Sequence, residues 1–372
     1  MKRTPLYDAH VALNGRVVDF AGWEMPIQYS GVVDEYQAVR SHAGLFDVSH
    51  MGRFRVAGSG AVPFLQHVTT NDVSKLGQME SHYSMLCTPQ GGIKDDIFVY
   101  RLLPDEFLLC VNASNREKIL TWLTEQTKAI PLVELSDRST ELAQLALQGR
   151  ASTSILLDFG IAGIDSLKPR HCLQASVLGA PSLITRTGYT GEIGYELYVP
   201  AGHALRTWNE LLKVGTAAGL KPTGLGARDL LRLDMAYLLY GNDIDEDTTP
   251  LEAGAGWVVA FQKQEFIGRE VLQEQRQTGL RRTLIAFELI EKAVPRHGFT
   301  IMTRDQHEPN QIGTVTSGNL SPLLQKGIGL GYVPVSFSSP GTPVNIDIRG
   351  RAIPGIVVKP PFYKRQAMGK RQ

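Results

Sequence analysis

Beyond residue 280 the helical periodicity stops. The segments "TLIAFELI", "GFTIM", "IGTVTSG", "GIGLGYV", "PVNIDIRG" and "AIPGIVV" follow one another as short runs punctuated by Gly and Pro. That spacing predicts a small sandwich or barrel. Upstream, strand-like and helix-like stretches alternate, so the chain contains at least two differently built parts. The polar helix "GREVLQEQRQTGLRR" marks the boundary, near 275–282. At 372 residues the chain is long enough for two or three domains.

In the upstream part, "VVDEYQAVR" places Val32, Val33, Tyr36 and Val39 on one helical face. "GRFRVAG" alternates as a strand, and "AVPFLQHV" predicts a short helix. "IFVYRLLPDEFLLCV" reads as a hairpin around Pro104-Asp105, followed by a helix over 115–126. "LAQLALQGRASTSILLDF" repeats the strand-then-helix order. "SLITRTGYTGEIGYELYVP" predicts a second hairpin with a glycine-rich bend, and a helix around Trp208 and Leu211 follows it. Hairpins mixed with helices indicate α+β rather than a doubly wound parallel sheet.

A formal net charge of +1 gives no electrostatic reason to expect a nucleic acid or an anionic membrane as partner. The basic tail "YKRQAMGKRQ" reads as a solvated end. Cys87, Cys110 and Cys172 are widely separated and form no CxxC, which speaks against a zinc cage or a dithiol centre and suits a reducing cytoplasm. The N-terminus lacks the apolar core of a secretory signal, and no apolar run is long enough to span a bilayer. A cytoplasmic location is therefore expected.

Several strings imitate known sites. "GLGARD" and "GIGLGY" do not complete a dinucleotide fingerprint. "DIDEDTTPLEAG" begins like a calcium loop but has Gly254 where the bidentate acid belongs. Ser49 and His50 are adjacent, and neighbours on a strand point apart, so they do not make a nucleophile–base pair.

"GGIKDDIFVY" poses a harder question. Strand alternation sends Asp95 with Ile97 and Val99, and Asp96 with Phe98 and Tyr100. Both faces are apolar, so at least one carboxylate enters a poorly solvated place where an unpaired charge is costly. Turn-capping accounts for such an Asp at a strand start, and so does chemistry. For Arg228 the alternatives are a structural pair with Asp229 or Asp234, or ligand binding. For Glu196 they are a solvated strand position or a ligand contact.

Four segments join polar residues to unusual backbone demands: "FDVSHM", "GGIKDDIFVY", "RTGYTGEIGYELYVP" and "GLGARDLLRLDMAYLLYG". With "TPLYDAH", "VVDFAGWEMPIQY", "TSGNLSP" and "KPPFY", in that order along the chain, they closely resemble the aminomethyltransferase (T-protein) family of the glycine cleavage system. The resemblance covers essentially the whole length. It implies three domains around a central folate-binding channel. Two are discontinuous α+β units, approximately 1–50 with 135–220 and 51–134 with 221–280, and 281–372 is an antiparallel β-barrel.

The same resemblance implies transfer of a one-carbon unit from the lipoyl arm of the carrier H-protein to the co-substrate tetrahydrofolate. The products are 5,10-methylenetetrahydrofolate, ammonia and the reduced arm, and no metal takes part. Asp96 matches the family's key carboxylate, which leaves Asp95 to tie down the Gly91-Gly92 turn. Glu196 and Arg228 match the residues that read the pterin, and Tyr83, Tyr189, Tyr237, Met51 and Asn112 match its pocket. Tyr363 sits where the family's C-terminal segment approaches the ligand. Arg170 and His171 depart from the family pattern and read as a divergent surface loop. The alternatives within the fold family are a folate-dependent demethylase and a folate-binding regulator.

Overall fold

The computed structural model of the chain describes residues 1–304 and 310–365, so most of the basic tail lies outside the described part. A six-stranded sheet runs in the order Cys172–Val177, Ala180–Thr185, Gly194–Pro200, Leu142–Gln148, Ala43–Asp47, Leu220–Pro222. Neighbours are antiparallel except the last pair, which is parallel. Alternation divides its side chains between two layers. Leu45, Leu147 and Leu197 pack with Trp208 and Leu211 of the helix Ala204–Gly215. Phe46 and Ala146 pack on the other face, against Tyr36 and Val39 of Val32–Ser41 and Leu231 of Leu225–Asp234.

A five-stranded sheet has the order Glu80–Cys87, Ile93–Leu103, Glu106–Val111, Gly52–Ala57, Glu134–Asp137. Its core is formed by Ile97, Val99 and Leu109 beneath Phe64 and Leu65 of Ala61–Val68 and Ile119 and Leu123 of Arg116–Thr127. Ile244, Val258 and Leu272 pack on the end of this sheet with Met85, Cys87 and Ile93. The chain thus contributes 43–47 and 142–222 to one sheet and 52–137 to the other.

From Arg282 onward, six strands close into a barrel in the order Arg282–Leu289, Lys326–Pro334, Gln311–Ser321, Thr300–Thr303, Pro343–Ile348, Arg351–Val358. Every pairing in it is antiparallel. The α+β expectation and the barrel both hold, and no described helix is long and apolar enough to cross a membrane.

The helix Leu225–Asp234 joins the parts. Residues 221–280 were expected with the second sheet, but the apolar face of this helix (Ala227, Leu230, Leu231) packs on Tyr36 and Val39 beside the first. Its polar groups reach further. Arg232 bonds Asp229, Asp243 and the barrel's Ser317, each at 2.8 Å. Asp234 accepts from Arg40 at 2.8 Å and from Ser321 of the barrel at 3.0 Å. Buried charges need this kind of partnering to be tolerated. Val33, expected on the buried face of its helix, is half exposed and lines the mouth of a central cleft.

Candidate active site

The cleft, of about 920 Å³, lies where the two sheets, the helix Leu225–Asp234 and the barrel meet. The strand Ile93–Leu103 supplies one wall. Ile97 and Val99 enter the apolar core, while Asp96, Phe98 and Tyr100 face the cleft. At about 3.3 Å per residue, Asp96 and Tyr100 stand about 13 Å apart along the strand. Tyr100 leads to Glu196, whose carboxylate accepts from its hydroxyl at 3.4 Å. The wall therefore carries a carboxylate near each end.

Asp96 accepts from the Tyr83 hydroxyl at 2.9 Å and from the Asn112 side-chain amide at 2.7 Å. Burial raises its carboxyl above the ordinary carboxylate range, although these two donors work to lower it. Tyr83 is itself pushed well above a normal phenol, by burial and then by the Asp96 charge. It is therefore a donor to Asp96 at any physiological pH.

Asp95 does not tie down the turn before it. Thr88 does that, with Thr88 N donating to Gly92 O at 2.8 Å and Gly92 N donating to Thr88 Oγ1 at 3.1 Å. Asp95 points into the protein and is fully buried. It accepts from Asn112 N at 3.0 Å, Asn112 Nδ2 at 2.8 Å and Asn115 Nδ2 at 2.7 Å. These bonds fix the entry to the helix Arg116–Thr127, a long-range contact that "DD" at a strand start does not reveal.

Glu196, on the strand Gly194–Pro200, is nearly buried, which removes the solvated-strand alternative. Besides Tyr100 it accepts from Gln144 Nε2 at 3.3 Å and from the Thr187 hydroxyl. All three partners are neutral donors, so its negative charge is not matched by a bonded cation. Arg228 is the converse. Asp229 is taken by Arg232 and Asp234 by Arg40. The Arg228 guanidinium instead lies 4.8 Å over the ring of Tyr189, a cation–π contact, and forms no ion pair among the described residues.

Met51, Tyr83, Tyr189 and Asn112 also line the cleft. Two further residues named from the sequence do not reach the wall. Tyr237 is partly exposed, its ring stacked 5.7 Å from Tyr189 at 25°. Tyr363 lies with its ring 4.0 Å beneath the Arg40 guanidinium, and its N–H donates to Asp234 O at 2.9 Å. Both support wall residues or the joint with the barrel.

The sequence did not point to Gln144 and Thr187 as partners of Glu196, or to Asn115. Each acts across strands or a chain reversal, with no local motif. His50 was set aside as half of a catalytic pair, yet it lines the cleft with its Nδ1 unpartnered. Burial lowers it to about 3, outweighing the pull of Asp47, so it is neutral. Arg170 and His171 are more than a free loop. Ser81 donates to Arg170 O at 2.7 Å, and His171 meets Glu80 at 3.3 Å, linking the segment to the other sheet's edge strand.

The architecture and site define a class: a two-sheet α+β body closed by a C-terminal barrel, with an aromatic-walled cleft that holds charged groups of both signs at the junction. Residues 6–263 match the family described as the GCVT N-terminal domain, and 282–364 match the glycine cleavage T-protein C-terminal barrel domain. The chain is 47% identical to the aminomethyltransferase of Halothermothrix orenii, over 97% of this chain and 100% of that one. It is 42% identical to the aminomethyltransferase of Bacillus subtilis, over 98% and 100%. The crystal structure of the glycine cleavage system aminomethyltransferase T from Bartonella henselae superposes with a TM-score of 0.90 at 34% identity, covering 98% of this chain and 99% of that one. The chain belongs to the glycine cleavage T-protein family.

Proposed function

We propose that the chain is an aminomethyltransferase. It moves the one-carbon unit of an S-aminomethyl-dihydrolipoyl carrier protein to tetrahydrofolate, giving 5,10-methylenetetrahydrofolate, ammonia and the dihydrolipoyl carrier. The observation that carries this is the pairing of Asp96 with Glu196 and Arg228 in one cleft, in a chain that matches aminomethyltransferases end to end.

A reduced pterin offers a donor edge, its 2-amino group and N3–H, and a carbonyl acceptor. The carboxylate of Glu196 suits the donors and the guanidinium of Arg228 suits the acceptor, since neither is ion-paired among the described residues. Tyr189 and Phe98 give flat apolar surface for the ring system. With that edge held near Tyr100, the reacting nitrogens are directed toward Asp96. As the first folate nitrogen bonds to the aminomethyl carbon, the bond from that carbon to the amino group breaks and ammonia leaves with a proton. Closure onto the second folate nitrogen breaks the carbon–sulfur bond and releases the arm as its thiol. In both steps positive charge builds on the carbon and the attacking nitrogen. A desolvated carboxylate there stabilises that charge and accepts the proton the nitrogen gives up. Tyr83 and Asn112 hold the carboxylate in place for this. The demethylase and regulator alternatives are not favoured by relatives that match over the full length. Three buried free thiols suit a reducing compartment, and the cytoplasm is the proposed location.

The test is ammonia release from aminomethylated H-protein with and without tetrahydrofolate. Folate-dependent release is expected, and release that ignores folate, or none, contradicts the reading. Asp96→Asn is expected to bind tetrahydrofolate within about ten-fold of the parent while transfer falls ~10²–10⁴-fold. Near-normal turnover in that variant removes the role given to Asp96.

A further inference from the structure

We infer that Asp95, which does not line the cleft, is a positioning residue for Asp96: it holds a fixed carboxylate behind Asp96 and, through Asn112, keeps Asp96 ready to accept a proton. The inference rests on the transfer role proposed for Asp96.

The geometry starts from one amide. Asn112 Nδ2 lies 2.8 Å from Asp95 Oδ1, 2.7 Å from Asp96 Oδ1 and 3.0 Å from Asp96 O. A single NH₂ group therefore bridges two carboxyls on opposite faces of the strand. Asp95 completes its shell with Asn112 N and Asn115 Nδ2. Every one of these partners is an N–H donor, and none is an acceptor to which a carboxyl proton could be given. Burial, and after it the charge of Asp96, raise the Asp95 carboxyl above the ordinary carboxylate range. The three donors favour that charge, and the donor-only shell fits the ionised form. A fixed negative charge behind Asp96 raises its affinity for a proton.

Other groups around the pair do not replace this effect. Tyr83 and Asn112 act in the opposite sense, by stabilising the Asp96 charge. Asp243 adds to Asp96's proton affinity, but it is ion-paired to Arg232 at 2.8 Å. The Tyr240 hydroxyl donates to Ile93 O, and the Tyr189 hydroxyl donates to Leu238 O. Lys94 and Lys118, the cations on this side, are both paired with Glu246. Asp95 is thus the charge tied directly to Asp96 by a shared hydrogen-bond donor.

The test is the pH profile of tetrahydrofolate-dependent ammonia release by the full chain. The ionised form of Asp96 is the active one, so activity falls as pH drops through its pKa. Removing the charge in Asp95→Asn lowers that pKa, and the acid limb is expected to move to lower pH by about one unit. The KM for tetrahydrofolate is expected to change little, since Asp95 does not reach the cleft. If Asp95→Asn does not fold, Asn115→Ala serves. It withdraws one donor, lets Asp95 take up its proton first, and is expected to move the limb in the same direction. A purely structural role would lower activity alike at every pH and leave the limb in place. An unmoved limb, or one moved to higher pH, overturns the inference. A parent chain without folate-dependent release refutes the transfer reading instead.

Discussion

The Tyr83 hydroxyl donates to Asp96 Oδ2 at 2.9 Å, across the neighbouring strands Glu80–Cys87 and Ile93–Leu103. Tyr83 stands directly opposite Phe98 in the ladder, so its ring lies on the cleft face with Asp96 and its hydroxyl reaches diagonally to the carboxylate. The exposed Trp257 stacks on the Tyr83 ring at 5.8 Å, which limits its swing. Because this bond stabilises the charged form of Asp96, Tyr83→Phe is expected to raise the Asp96 pKa. The acid limb of the activity profile then moves to higher pH by about half a unit to one unit. That is opposite in sign to the shift expected for Asp95→Asn, so one pH–rate series on the two variants checks both.

Glu196 should govern folate affinity rather than the transfer step. Its Tyr100, Gln144 and Thr187 partners hold it without a cation, leaving it as the charged acceptor at that end of the cleft. A hydrogen bond to a charged group contributes about 1.5–3 kcal/mol, which corresponds to about 10–150-fold in dissociation constant. Glu196→Gln, and more so Glu196→Ala, is expected to weaken tetrahydrofolate by that order in isothermal titration. Unchanged affinity would contradict the assignment.

The loop that carries Tyr189 depends on one buried side chain. Gln148 donates to Thr187 O at 3.2 Å and Tyr195 O at 3.4 Å, and accepts from Thr190 Oγ1 at 3.0 Å. It occupies the space where side chains at Gly188 and Gly194 would begin. A Cβ at Gly188 would stand 2.0 Å from Gln148 Oε1, and one at Gly194 2.3 Å from its Cδ. Gly188→Ala is therefore expected to destabilise the chain by about 1–3 kcal/mol in denaturant unfolding. It should also weaken folate binding, because Thr187 and Tyr189 flank the displaced residue.

The readings that survived from the sequence were those that depend on local period. Strand alternation through "GGIKDDIFVY" separates Asp95 from Asp96 and already puts Phe98 and Tyr100 on the Asp96 side. The change of texture after residue 280 marks the barrel, which begins at Arg282. What local period could not supply was the destination of a buried polar group. The nearest glycine turn looked like the natural partner of Asp95, yet its partners, Asn112 and Asn115, come from the following strand and helix entry. Tyr237 and Tyr363 follow from the resemblance, and only the three-dimensional packing shows one stacked on Tyr189 and the other against Arg40. That Arg228 forms no ion pair among the described residues follows from the three-dimensional pairing of Asp229 with Arg232 and Asp234 with Arg40, which the sequence does not reveal.

Keeping an ionised carboxylate where Asp96 stands lowers stability. A carboxyl whose folded pKa is raised above its unfolded value contributes stability that is present at low pH and lost as pH rises through the folded pKa. Burial raises Asp96 in this way, so above that pKa the folded chain carries a charge it would hold more easily unfolded. Asp96→Asn removes the charge and keeps the shape. It is expected to be more stable than the parent at pH 8 by about 1–3 kcal/mol. The advantage should shrink toward zero below about pH 4, where the parent carboxyl is protonated in both states. Thermal melts of the two proteins across that range check the sign. A variant that melts lower than the parent at pH 8 would mean that Tyr83 and Asn112 already offset the desolvation of the charge, and that Asp96 is held at no cost to the fold.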